Sequence, residues 1–147
     1  MKDTLVAVLA RKGSKVHCVV PEVTVLDAVR KMNEERIGAL LVCDGSDVLG
    51  IFTERDILCR IIDSTRDPAT TAVAEVMTTE LIAVPPGTLV EEAMAVITEK
   101  RCRHLPVIED GNLVGLVSIG DLTSWVSRHQ EVHIQDLVNF ITGKYPA

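Results

Sequence analysis

The sequence predicts an α/β (α+β) fold: two copies of one β-α-β-β-α motif packed through small sheets, with short N- and C-terminal helices outside the repeat. Three observations carry this expectation. The first is internal repetition. At the 65-residue offset that takes Gly50 to Gly115, Val19, Pro21, Val25, Ala28, Glu34, Arg36, Leu40, Val42 and Asp56 fall on Val84, Pro86, Val90, Ala93, Glu99, Arg101, Leu105, Val107 and Asp121. A unit repeated at this length is one supersecondary motif that needs its neighbour to bury its apolar face. The second is the continuity of apolar runs such as Ala39 to Cys43, which strands wet on one face do not show. The third is helical spacing in Val25, Ala28, Val29, Met32 and again in Val90, Ala93, Met94, Ile97.

Taken in order, Leu5 to Arg11 places apolar residues for a short helix closed by Gly13. Val16 to Val20 reads as a strand, Pro21 and Thr24 as turn and cap, and the following helix runs to about Arg36. Ala39–Cys43 and Val48–Phe52 flank the polar turn Asp44-Gly45-Ser46-Asp47 and form a hairpin, after which Thr53 caps a second helix. Asp63 to Ala69 is a polar loop, and Val73, Val76 and Met77 predict a short helical turn. The second copy repeats the order: a strand at Ile82–Val84, the turn Pro85-Pro86-Gly87-Thr88, the helix, then Leu105–Ile108 and Leu113–Val117 around Glu109-Asp110-Gly111-Asn112. Ser118 caps the last helix of the repeat. Ile134 to Ile141 predicts an amphipathic helix of the kind that packs on a partner subunit. The chain thus divides into a helical segment at 1–13, a first motif at 14–66, a second at 67–127 and a tail at 128–147.

Composition narrows the function. With 147 residues and 47% hydrophobic content the chain can bury a core without staples. Cys18, Cys43, Cys59 and Cys102 form no Cys-x-x-Cys pair, so they read as buried reduced thiols rather than metal ligands. No apolar run is long enough to span a bilayer and the start shows no secretory cleavage pattern, so a cytoplasmic protein is expected. A net charge of −6 and 3% aromatic content argue against nucleic-acid binding, which needs a broad cationic surface or stacking platforms. The basic residues cluster instead, as Arg11, Lys12, Lys15 and as Lys100, Arg101, Arg103, His104, which suits a small anionic ligand.

Each copy ends in a glycine, two apolar residues, a hydroxyl and, three positions on, an aspartate: Gly50-Ile51-Phe52-Thr53-Glu54-Arg55-Asp56 and Gly115-Leu116-Val117-Ser118-Ile119-Gly120-Asp121. At a strand-to-helix turn, free backbone N–H groups and the helix dipole favour phosphate. An aspartate one turn in accepts two hydrogen bonds, matching the adjacent hydroxyls of a ribose. Together they describe a nucleoside phosphate. The same residues also make a capping box with Asp in place of Glu, and the two roles can coexist.

These motifs resemble the cystathionine-β-synthase (CBS) domain, a module that occurs in tandem pairs. The resemblance spans about residues 14 to 127 and rests on Val19-Val20-Pro21, Ile37-Gly38-Ala39-Leu40-Leu41-Val42 and Gly50 to Asp56, then on Val76-Met77-Thr78, Arg101-Cys102-Arg103-His104-Leu105-Pro106-Val107 and Gly115 to Leu122. It implies pseudo-twofold packing with two clefts for adenosine-containing ligands, AMP or NAD foremost, with ATP, ADP and S-adenosylmethionine as further members. Carried over residue by residue, Asp56 and Asp121 hold ribose while Thr53 and Ser118 contact phosphate or ribose. Ser118, Gly120 and Asp121 face Lys12, Lys15, His17 and Ile37-Gly38-Ala39; Thr53 and Asp56 face Thr78, Glu80, Ile82, Cys102, Arg103 and His104, with Pro106 beside them. Arg103, His104, Arg55 and Lys15 are the candidates to neutralise phosphate. Because Gly38 stands where the second copy has Arg103, the clefts are expected to differ in charge. The resemblance further implies a homodimer formed by the helices after Thr53 and Ser118, offering Phe52, Ile57, Leu58, Ile61, Ile62, Leu122, Trp125 and Val126, and a regulated protein in another chain. An adenine-nucleotide sensor therefore leads. A structural dimerisation module with empty sites is the alternative. A nucleotide-hydrolysing enzyme has least support, since there is no Gly-rich phosphate loop, nucleophile pair or paired metal-ligand spacing.

Overall fold

The computed structural model describes residues 2–128 together with 138 and 141; most of the helix expected at Ile134–Ile141 lies outside the described residues. Helix α1 spans Leu5–Lys12 and stops at Gly13, whose φ of 95° suits glycine and whose N–H returns to Leu9 O at 2.8 Å. Strand β1 is only Cys18–Val19, shorter than the predicted Val16–Val20, and pairs in parallel with β2 (Ala39–Asp44). Between them α2 (Val25–Glu35) is capped by Thr24, whose hydroxyl oxygen accepts the Asp27 N–H at 3.1 Å. Strand β3 (Asp47–Thr53) closes the first hairpin, and β4 (His104–Glu109) with β5 (Asn112–Ser118) repeats it after α4 (Val90–Lys100). The two hairpins share an irregularity one step before the turn, at Val42/Cys43 and at Val107/Ile108.

The turns differ as their residues require. Asp110 and Gly111 both take positive φ, the pattern of a type I′ turn, whereas in the first hairpin Gly45 alone does so. Arg36 and Arg101 are the left-handed C-cap residues of α2 and α4, each with φ 55°.

Two predicted elements need correction. The strand at Ile82–Val84 reduces to a single parallel bridge, Val84 to Val107. Val84 donates to Pro106 O and its carbonyl accepts from Ile108, but Pro85 and Pro86 follow without N–H groups to extend the ladder. The helix after Thr53 is one α-turn, α3 (Glu54–Asp56), running into a π-helix at Ile57–Ile62, while its counterpart α5 (Ile119–Arg128) is α-helical throughout. The widened turn carries Arg60 to the carbonyls of Val76 and Met77, at 3.1 and 2.9 Å.

The core follows from an exchange. Val25, Ala28, Met32, Leu40, Val42, Phe52 and Ile61 of the first half are closed over by Val73 and Val76, which precede the second half. Val90, Ala93, Ile97, Leu105, Val107, Val117 and Leu122 of the second half are closed over by Leu5, Val8 and Leu9 of α1, which precede the first. Both lids are stitched by paired backbone bonds. Leu5 donates to Thr88 O and Val90 to Asp3 O; Val25 donates to Thr71 O and Val73 to Val23 O. A third cluster, Ala39, Leu41 and Ile51 with Val16, Val48, Leu81, Leu113 and Leu116, joins the two sheets.

The cysteines correct the sequence reading in part. Cys18, Cys43 and Cys102 are half-buried, but Cys59 is exposed on the outer side of the π-helix. Burial first, and then the neighbouring Cys18 thiol, pushes Cys43 up to about 11, so it stays protonated at neutral pH.

Gly50 and Gly115 mark where the lids press hardest. A Cβ at Gly50 would lie 2.7 Å from the backbone oxygen of Thr78 and 2.9 Å from Met77 Sδ; at Gly115 it would lie 2.7 Å from a terminal carbon of Leu9. A leucine tip can rotate aside and a carbonyl already bonded to Ile51 cannot. Gly50→Ala is therefore expected to cost about 1–3 kcal/mol of overpacking and Gly115→Ala less, a ranking read from paired chemical-denaturation curves.

Candidate functional site

Both hydroxyl–aspartate pairs sit where the sequence puts them, at the ends of β3 and β5 as the chain turns into a helix. Their surroundings differ. Ser118 and Asp121 form a reciprocal cap: the Ser118 N–H donates to Asp121 Oδ2 at 2.8 Å, and the Asp121 N–H donates to the Ser118 hydroxyl at 3.1 Å. Thr53 makes half of it. Its N–H donates to Asp56 Oδ2 at 2.9 Å, and its hydroxyl donates to that same oxygen at 3.3 Å instead of accepting from the helix.

The two carboxylates then part company. Asp56 is 5% exposed, its Oδ1 accepts the Thr78 hydroxyl at 3.0 Å, and Arg60 Nε lies 3.8 Å away. Both oxygens are engaged inside the protein. Asp121 keeps 27% of its side chain exposed and is held by Lys12, whose ammonium donates to Oδ2 and to Leu116 O at 2.5 Å each. Burial alone would raise the Asp121 carboxyl, but the Lys12 ammonium and the Ser118 N–H outweigh it and hold the group below the ordinary carboxylate range. Where the sequence led to an expected difference in charge through Gly38 and Arg103, the structure shows a difference in access to the carboxylate.

Several expected members do assemble. Thr78 meets Asp56 and Lys12 meets Asp121. Gly38 packs where a Cβ would stand 3.1 Å from Glu54 Oε1 and 3.7 Å from His104 Cε1, and its carbonyl accepts the Glu54 N–H. The Arg103 carbonyl plays the same part for Ile119, while its side chain is exposed. A Cβ at Gly120 would stand 3.5 Å from the Ser118 hydroxyl, an ordinary contact. Lys15 and Glu80 are exposed, and Ile37 packs against the first core.

Others are placed differently. His104, grouped by sequence with Thr53 and Asp56, lies between the halves. Burial first, then Lys12 and Arg103, lower its pKa, and Glu54 and Asp121 partly restore it. That keeps it neutral at pH 7, a hydrogen-bonding group and not a cation for phosphate. Arg55 reaches across to Arg101 O at 3.4 Å, and His17 Nε2 lies 3.8 Å from Glu35 Oε2. Ala39 and Pro106 are buried in their strands, Ile82 packs on the second core, and burial raises the half-buried Cys102 thiol, so the side chains of these four serve packing.

Sequence reasoning missed Arg60 and the contacts that Trp125 makes within the chain. The signal was available, because each stands four residues after its aspartate, one turn along the same face. Arg60 supplies Asp56 with an internal cation. Trp125 supplies none, and instead donates through Nε1 to Asp3 Oδ2 at 2.9 Å and carries the Arg11 guanidinium 5.7 Å above its ring. Val8, Arg11 and Lys12 of α1 and Asp121, Ser124, Trp125 and Arg128 of α5 together line an open groove of about 190 Å³. Among the described residues no cluster of metal-ligating side chains occurs, and no helix is long and apolar enough to cross a membrane.

Comparison with known proteins accords with this architecture. The CBS-domain family model matches residues 9–63 and again 73–128. The chain is 41% identical over 138 residues to the mitochondrial CBS domain-containing protein CBSX3 of Arabidopsis thaliana, covering 90% of this chain and 66% of that protein. Among solved structures, the CBS-domain protein NE2398 superposes with a TM-score of 0.81 at 40% identity, covering 84% of this chain and 97% of that one. The hexameric CBS-CP12 protein of bloom-forming cyanobacteria does so with a TM-score of 0.74 at 30% identity, covering 84% and 67%.

The depressed Asp121 pKa fixes a sign. A carboxyl lower in the folded than in the unfolded chain stabilises above the unfolded value and loses that contribution as pH falls through the folded one. Asp121→Asn should therefore melt below the parent at pH 7, with the gap closing as pH drops below about 4, the unfolded carboxyl range. A gap that stays constant from pH 7 to pH 3 would contradict the assignment.

Proposed function

The chain belongs to the CBS-domain family, whose paired domains are regulatory modules, and from that premise we propose that it is a non-catalytic sensor of adenine nucleotides. The observation that carries this reading is Asp121: a partly exposed, ionised carboxylate at a helix N-terminus, beside a hydroxyl and a groove lined by Arg11, Lys12 and Arg128. The carboxylate matches the ribose diol and the cations match phosphate. AMP and NAD fit this set best, followed by ADP and ATP; S-adenosylmethionine has no phosphate for the cations to meet. The Asp56 site is the weaker of the two, because opening it breaks the Thr78 and Thr53 bonds and leaves Arg60 without its partner.

A homodimer is the natural carrier of the signal, read out by a protein in another chain. Leu58 and Ile62 of the π-helix are 62% and 64% exposed, a pair of large apolar side chains that a second copy would cover. Phe52, Ile61 and Leu122, grouped with them from sequence, are already consumed by the core, which leaves a smaller face than expected. A similar chain in the cyanobacterial hexamer supports assembly as a property of such modules.

A structural dimerisation module is the second reading. It is favoured by the fact that both aspartates already satisfy helix starts without a ligand. Thermal melting with AMP, ADP, ATP, NAD and S-adenosylmethionine separates the two, since a ligand specific for the folded state raises the midpoint by mass action. The sensor predicts a rise with AMP or NAD that disappears in Asp121→Ala, and a calorimetric stoichiometry near one per chain at low ligand. No rise with any of them favours the structural module. Under either reading, Leu58→Asp should shift the sedimentation coefficient toward the monomer; an unchanged coefficient removes the π-helix from the interface.

A further inference from the structure

Cys18 and Cys43 lie side by side, away from the chemistry of the two aspartates. Side chains alternate cleanly along β2: Leu40 and Val42 enter the first-half core, while Ala39, Leu41 and Cys43 face the seam that joins the two sheets. Cys18 pairs in register with Leu41 and packs into that same seam, whereas the next residue, Val19, turns to the core. The two cysteines are therefore diagonal neighbours on one face of a parallel strand pair. Burial and the Cys18 thiol together push Cys43 up, which sets the two sulfurs beside one another and leaves Cys43 holding its proton. Packing does not demand sulfur here. At the offset that takes Gly50 to Gly115, the second half has Ala83 and Ile108 in these places.

We propose that Cys18 and Cys43 form a redox-active dithiol, oxidised by hydroperoxides to an intramolecular disulfide that ties β1 to β2. Cys18 attacks first. Its Sγ lies 4.0 Å from Val16 O, a weak hold on its proton. As thiolate it takes the terminal oxygen of the hydroperoxide and becomes a sulfenic acid, while the remainder leaves with the thiol proton as an alcohol, or as water from hydrogen peroxide. Cys43 resolves the intermediate: its sulfur displaces the sulfenic hydroxyl, which departs as water with the Cys43 proton. Two thiols lose two hydrogens and two electrons, and one peroxide bond is reduced. The seam is apolar and the cysteines half-buried, so a small neutral oxidant reaches them more readily than a bulky charged disulfide does.

Strand geometry makes the bond reversible. With strands about 4.8 Å apart and a rise of about 3.3 Å per residue, diagonal Cα atoms stand about 8 Å apart, whereas a disulfide spans about 4.4–6.8 Å. Closing it draws β1 along β2. That movement is available to β1, which is two residues long, at the sheet edge and paired with β2 alone. The strain that remains makes the disulfide easy to reduce, which suits a switch better than a permanent staple. What the bond grips is the segment entering from α1, the helix that closes the second-half core.

The test is oxidation of the folded chain with one equivalent of hydrogen peroxide, followed by alkylation under denaturing conditions and peptide mass mapping. A linked peptide pair carrying Cys18 and Cys43 should appear, and reduced glutathione should restore both thiols. Cys43→Val should abolish the link and leave Cys18 as a sulfenic acid that dimedone captures. Cys18→Ala should abolish the link and leave Cys43 unlabelled. Circular-dichroism melts verify that the variants fold, and the map of the parent decides the matter should either fail to. If Cys18 and Cys43 both stay free, or if the only linkage runs between chains through the exposed Cys59, the inference is overturned. A Cys18–Cys43 bond that resists reduced glutathione overturns the switch as well, because it is then a structural staple. The chemistry needs no nucleotide, so its failure leaves the sensor reading standing, and failure of the sensor reading leaves the dithiol standing.

Discussion

Neither half of this protein can close its own core. Each β-α-β-β-α unit buries one face of its sheet under its helices and leaves a gap that is filled by the segment preceding the other unit: Leu5, Val8 and Leu9 for the second half, Val73 and Val76 for the first. These residues are almost fully buried, and losing one such leucine costs about 2–5 kcal/mol, a large part of a domain's total stability of about 5–15 kcal/mol. The exchange makes the tandem arrangement obligatory. It also explains the tight glycines, since Gly50 and Gly115 are the points where the lid crosses each β-hairpin.

The same exchange decides the chemistry of the two candidate sites. Each lid, besides closing a core, delivers one polar group to the aspartate at the end of the sheet it covers. The lid over the first half delivers Thr78, short enough to sit beneath the chain and seal Asp56 from water. The lid over the second half is longer and delivers Lys12, whose flexible stem reaches Asp121 from the rim. Arg60 and Trp125, one turn beyond each aspartate, complete the contrast: one site is internally neutralised, the other borrows its cation from a neighbouring helix. Two motifs of one pattern thus yield one closed and one accessible carboxylate.

Much of this was legible in the residues. The repeat offset, the hairpin turns and the ends of α1, α2 and α4 follow from local chemistry: glycine where φ is positive, a threonine cap at Thr24, apolar spacing at 3.6 residues. The two departures have local causes acting at longer range. The ladder ends at Val84 because two prolines follow, and the helix after Thr53 widens where Arg60 bonds to the carbonyls of Val76 and Met77. For the site, pattern singles out the two aspartates, Thr78 and Lys12, and the structure brings Thr78 to Asp56 and Lys12 to Asp121. His104 lies between the halves, within reach of both Glu54 and Asp121, and the side chains of Pro106 and Ile82 serve packing.

By itself the sequence determined the periodic things: the repetition, the kind of each element, and the hydroxyl–aspartate pair that starts a helix in each half. These depend on neighbours within a few positions, and so each copy announces them in the same words. Tertiary structure alone decided which aspartate is open. That outcome turns on contacts between residues far apart in the chain, Lys12 with Asp121 and Thr78 with Asp56, and on burial, which depends on how the two lids cross between halves. Two motifs with the same pattern acquire different chemistry because a carboxylate's availability is set by what packs over it, and that packing belongs to the pair and not to either copy.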